Sequence, residues 1–186
     1  MECQILTGSG CNRCPCRILL LVALVVAFAV WPSGASIIRM TLKDLVQKAD
    51  LIVIGKVVKT STAQTADGPR RLAVISVSDL LKGAAGDSVV ISQPGGSVGR
   101  IEMVRSDHVP FESEEQVIVF LWTYPSGEYR VLGSVQGKIL IVPTLKGEKN
   151  VILPPEPGKK TGVRITLTEF IQQVRTVLAE EPETEK

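Results

Sequence analysis

Hydrophobic positions follow two rhythms along this chain: helical spacing near each end of its main body, and runs or alternations between. From Thr41 to Ala49, Leu42, Leu45, Val46 and Ala49 share one side of a helix, Thr41 stands as its cap and Asp44 follows three residues on. Asp50 closes that helix. Leu51–Lys59 is apolar up to Ile54 and again at Val57 and Val58, which predicts a strand buried on both faces or crossing a closed barrel. Gly55 within it predicts a bend or bulge. Ser61–Pro69 reads as a polar loop, and Arg70–Leu81 as a second strand.

Lys82–Asp87 turns the chain into a third strand, Ser88–Gln93, which Pro94-Gly95-Gly96 breaks. Arg100–Arg105 is a weaker strand. Gln116–Tyr124, almost wholly apolar, is predicted to be central, and Pro125-Ser126-Gly127 turns it into Glu128–Leu132. Gly133–Gly137 is another turn, Lys138–Val142 the next strand, and Asn150–Leu153 a short one. Pro154–Lys160 has the composition of a linker. The last helix starts at Thr166, with Glu169 completing a capping-box pattern and Leu167, Phe170, Ile171, Val174, Val177 and Leu178 forming a stripe. Short strands, glycine turns and two flanking helices predict a mainly β domain, a small closed barrel, over 36–179, followed by a charged tail over 180–186.

Ahead of this body, Ile18–Trp31 is an unbroken apolar run preceded by Arg13 and Arg17 and followed by Ser33 and Ala35. A basic flank, an apolar centre and small residues make residues 1–35 an export signal with cleavage before Ser36, or an uncleaved anchor with the domain outside. Either reading sends the domain out of the cytoplasm, and membrane contact is expected only through this segment if it is retained.

Composition changes the picture in three ways. The chain has 186 residues, of which 45% are hydrophobic and 22% charged, so it folds rather than remaining disordered. Its net charge of +2 and its four Phe, two Trp and two Tyr exclude a strongly basic or aromatic-lined nucleic-acid surface. Cys3, Cys11, Cys14 and Cys16 all precede the apolar run, so the domain folds without disulfides. Their C-x₂-C-x-C spacing lacks the second ligand pair that structural zinc needs, and no cofactor is expected.

Ala49–Gly83, with ADLIVIGKV followed by a long second strand ending in Leu81-Lys82-Gly83, resembles the inhibitory domain of tissue inhibitors of metalloproteinases and the related netrin-like modules. The resemblance implies a five-stranded barrel of the oligonucleotide/oligosaccharide-binding (OB) type with flanking helices. The chain also resembles a group of exported bacterial proteins of unknown role, in which Ala-Asp-Leu-Ile-Val, a Pro-Gly-Gly turn (Pro94–Gly96) and a Gln-Gly-Lys turn (Gln136–Lys138) recur. In the metalloproteinase inhibitors, an amino-terminal cysteine binds the catalytic zinc on a disulfide-braced ridge. This chain has no cysteine beyond Cys16, so no inhibitory residue carries over.

His108 is the one histidine; as a general base it would need an orienting partner, and Asp107 beside it on an extended segment points to the opposite face. It reads as a surface or loop histidine. Glu112, Glu114 and Glu115 lack the stereotyped loop of a calcium site and read as a solvated turn. Gly133–Lys138 has three residues between its glycines and Ile139 where a phosphate loop carries Ser or Thr, so it reads as a turn. Gly95 and Gly96 offer backbone amides to an anion. The expectation is a non-enzymatic module that binds a protein or saccharide outside the cytoplasm, with Gly95, Gly96, Gln136, Gly137 and Lys138 as candidate contacts. The alternatives are a protease inhibitor acting without cysteine and zinc, and a small hydrolase.

Overall fold

The computed structural model describes residues 39–105, 107–144, 147–153 and 162–180. Residues 1–35, read above as an export signal or anchor, with their cysteines, the 154–160 stretch and the tail from 181 lie outside the described residues. Among those described, no helix is long and apolar enough to cross a membrane.

Helix α1 (Leu42–Lys48) starts as its sequence dictates: the Thr41 hydroxyl accepts the Asp44 N–H at 3.1 Å, and the Asp44 carboxylate accepts the Thr41 N–H at 2.9 Å. At its other end, Lys82 Nζ donates to the carbonyls of Val46 and Gln47, where a cation offsets the helix dipole. Ten strands follow: β1 (Leu51–Thr65), β2 (Gly68–Lys82), β3 (Ser88–Pro94), β4 (Gly96–Val98), β5 (Ile101–Met103), β6 (Gln116–Thr123), β7 (Tyr129–Val131), β8 (Lys138–Pro143), β9 (Lys149–Ile152) and β10 (Arg164–Thr166). Helix α2 (Leu167–Ala179) closes the described chain, with the Thr166 hydroxyl accepting the Glu169 N–H at 3.2 Å.

Eight strands form one mixed sheet in the order β1-β2-β3-β7-β6-β8-β9-β10, and β4 pairs separately with β5. Because β1 also pairs with β6, the strands β1-β2-β3-β7-β6 make a partial five-strand ring. The ring's weak link is β3 to β7, a single parallel pair, Ile91 with Tyr129. The fully closed barrel expected from sequence is thus replaced by an eight-strand sheet with an incomplete ring. The reason is the brevity of β7: the Tyr124–Gly127 turn and the left-handed Gly133 leave only three residues to pair.

Strand β6 and the first half of β1, up to Val57, are buried on both faces, as the apolar run at Leu51 anticipates. Ile52, Ile54, Ile118 and Phe120 face α1 and α2, against Leu45, Val46, Phe170 and Val174. Leu51, Val53, Val57, Val117, Val119 and Leu121 join Ala73, Ile75, Val89 and Ile91 in a second core between β1, β2, β3 and β6. Gly55 sits at a register irregularity where β1 presses on β2; any side chain there would meet the Ser76 carbonyl.

Two further expectations need correction, and one strand was not anticipated. Ser61–Pro69 is not a loop: β1 continues to Thr65 and pairs with β2 from Gly68, leaving Ala66 and Asp67 to turn. The side chains of 61–65 are exposed or only partly covered, so the strand tolerates polar residues and polarity here did not mean a break. Arg100–Arg105 contributes only Ile101–Met103, and that strand belongs to the separate hairpin. Strand β10, on β9, had no apolar alternation to announce it.

Candidate functional site

The β1–β2 ribbon and β3 outrun the core, and their inward face changes character as they do. Val57, Ile75 and Val89 stand in register and are buried. The next inward row is Thr60, Ala73 and Ile91; the row after that is Thr62, Arg71 and Gln93. The phase depends on a bulge: Val57 pairs with Ile75 and Lys59 with Val74, so Val58 is the extra residue, 47% exposed. Without it, Lys59 and Ser61 would face inward instead of Thr60 and Thr62.

The opposite wall is the irregular segment 107–111. Its anchor is Gln93, only 8% exposed, whose side-chain amide acts as a surrogate strand. Gln93 Oε1 accepts the Val109 N–H at 2.9 Å, and its Nε2 donates to the Val109 carbonyl at 3.2 Å. The Ser134 hydroxyl donates to the Asp107 carbonyl at 2.9 Å, and Lys138 Nζ donates to that of Pro110. Beyond the wall, Val57 and the Glu114–Glu115 backbone exchange two hydrogen bonds. A groove of about 290 Å³ is left between the walls, lined by Thr60, Thr62, Arg71, Gln93, His108 and Phe111 among others.

His108 is half-buried on this wall, within an irregular segment as a loop histidine. Arg71 Nη1 lies 2.7 Å from His108 Nε2. Since arginine stays protonated, it donates, Nε2 accepts, and the neutral ring carries its proton on Nδ1. That atom is buried and has no hydrogen-bond partner. Burial holds the imidazole below its ordinary titration range; Arg71 pushes the same way, Asp107 opposes and Lys138 adds to the lowering. Asp107 does not orient the ring: its carboxylate takes two hydrogen bonds from the Arg105 guanidinium, at 2.9 and 3.1 Å, which holds it below the usual carboxylate range.

Gly95 and Gly96 are buried where β3 passes into β4. The Gly95 N–H donates to the Pro69 carbonyl at 2.9 Å. A side chain on Gly96 would meet Thr62 Cγ2 at 2.8 Å and Arg71 Cγ at 3.0 Å, so β4 runs against the polar row. Gln136, Gly137 and Lys138 are not groove-lining residues. Gln136 accepts the Met40 N–H at 2.9 Å, and Gly137 is buried where any side chain would strike the Leu132 carbonyl. Lys138 backs the 107–111 wall: besides Pro110 it binds Glu115 at 2.6 Å and lies 4.7 Å above the Phe111 ring.

The three glutamates part company, Glu115 to Lys138, Glu114 to Lys56, and Glu112 through its N–H to the Glu115 carboxylate. Among the described residues, no three His, Cys, Asp or Glu side chains come together in a way that would hold a metal ion. A second cavity of about 380 Å³ lies between β1, β2 and α2, lined by Lys56, Ser78, Asp79, Gln116, Lys149 and Ile171 among others.

Sequence reasoning missed Thr60, Thr62, Arg71 and Gln93. One signal was present: Arg71, Ala73, Ile75 and Val77 alternate, so Arg71 stands on the apolar phase of β2. The chain matches no family model, and no curated protein sequence matches it.

Proposed function

We propose that this chain is an exported, non-catalytic binding module that seats its ligand in the groove at the mouth of the five-strand ring. The ring is read as a partly open OB-type barrel, in keeping with the resemblance at Ala49–Gly83. The observation that carries the reading is the row Thr62–Arg71–Gln93, a polar row at the open end of an inward face whose nearer rows bury Val57, Ala73, Ile75, Val89 and Ile91. Inward polar groups on a rigid sheet, beside a concave space with apolar walls, are what a small-ligand site requires.

Catalysis by His108 fits the geometry poorly. Its accepting nitrogen is taken by Arg71 and no carboxylate orients the ring, whereas a general base needs a free lone pair aimed at a substrate proton. The proposal is tested by incubating the protein with a mixed library of small carboxylic acids, amines and neutral sugars. Ligand-observed NMR is expected to detect binding of a subset, and mass spectrometry to recover every library member unchanged. Conversion of any member in amounts exceeding the protein would overturn the non-catalytic reading.

A further inference from the structure

We propose that the groove binds a carboxylate carried on a small, partly apolar molecule, with Arg71 and the hydroxyls of Thr60 and Thr62 as its donors. This rests on the binding-module reading above and names the chemistry of the ligand. Charge pairing around the groove is the first ground. The carboxylates of Asp107, Glu114, Glu115 and Glu128 are each held by another cation, respectively Arg105, Lys56, Lys138 and Arg70. Among the described residues Arg71 forms no ion pair, and its one side-chain hydrogen bond goes to the neutral His108 ring.

Donor geometry is the second ground. A guanidinium presents its N–H groups as a planar fork that matches the two oxygens of a carboxylate, and one contact to His108 leaves most of that fork unused. Thr62 is the register partner of Arg71, and Thr60 stands one row nearer the core on the same face. Neither hydroxyl has a hydrogen-bond partner among the described residues. Ala73, Pro110 and Phe111 supply apolar surface for the body that carries the anion.

His108 links the site to protons. The charged groups that act on it are Arg71 from β2, Lys138 from β8 and Asp107 beside it, the last already bound to Arg105. A protonated ring no longer accepts from Arg71 and is repelled by it; a carboxylate held on the unused part of the Arg71 fork, beside the ring, offsets that repulsion. Carboxylate binding therefore raises the His108 titration point, and affinity rises as the pH falls through it.

The test uses benzoate, benzamide and inorganic phosphate as probes, read by the ring resonance of His108, which is unambiguous because the chain has a single histidine. Benzoate is expected to move the His108 titration upward. Benzamide and phosphate are each expected to bind at least about tenfold more weakly, and Arg71→Gln to weaken benzoate by at least about tenfold. Arg71 is exposed, so the variant should fold; Arg71→Lys, which keeps charge and loses the fork, is expected to fall between. Benzamide binding as tightly as benzoate, at the same ring, overturns the carboxylate and leaves the binding module standing. Phosphate binding as tightly as benzoate overturns it in favour of a bare-anion site. Silence of the His108 resonance toward all three overturns the proposal outright, and backbone shifts around Lys56 and Gln116 would remove the groove reading with it.

Discussion

Replacing Phe120 by alanine is expected to cost about 3–5 kcal/mol of stability. Phe120 is fully buried on β6, opposite Ile52 in the β1–β6 register. It belongs to the core that joins the sheet to both helices, with Leu45 and Val46 of α1 and Phe170 and Val174 of α2. The lost transfer energy is compounded by a void that two helices anchored from opposite ends of the chain cannot easily collapse into. Chemical denaturation followed by far-UV circular dichroism measures it, and a loss below about 1 kcal/mol would mean the helices do not pack as described. Phe120→Leu, which refills most of the space, is expected to cost markedly less.

The second large effect is expected at Gln93. Gln93→Leu keeps much of the volume and removes both hydrogen bonds to Val109, whose backbone N–H and carbonyl have no other partner in the ladder. An unsatisfied buried polar group costs about 1–3 kcal/mol, so two of them put the loss at about 2–6 kcal/mol unless the segment swings out to water. Either way the His108 wall loses its inner anchor. Amide hydrogen exchange at Val109 reads this directly: protection is expected to collapse there while that of Val119 and Phe120 in β6 persists. Unchanged protection at Val109 would show that the segment is held by its outer contacts to Ser134 and Lys138 alone.

Much of the fold was legible because it rests on local chemistry. Thr41 with Asp44, the two-sided apolar run at Leu51, the central strand at Gln116 and the stripe on α2 all express their structure in neighbouring residues. What was not legible depends on distant partners. The stretch Ser61–Thr65 has no apolar phase of its own, and only its pairing with Gly68–Leu72 makes it a strand. Closure of the ring hinged on the length of β7, which two turns decide jointly.

The groove was hidden by a single residue. Counting alternate positions from Val57 gives Lys59 and Ser61 as the inward side chains; the bulge at Val58 moves the count by one and brings Thr60 and Thr62 over the core. His108 was visible as the lone imidazole, but nothing nearby in sequence points to Arg71, 37 positions away, or to Gln93 as the anchor of its neighbour. Gly96 entered as a candidate for its backbone amide. The structure places its bare Cα against Thr62 and Arg71, so at this position the missing side chain matters for the shape of the groove.

The most direct measurement is a backbone amide shift map of the wild-type protein against benzoate. Shifts clustered at Thr60, Thr62, Arg71, Gln93 and Val109 are expected if the mouth of the ring is the binding site. Shifts centred instead on Lys56, Ser78, Gln116 and Lys149, around the cavity beneath α2, would contradict it.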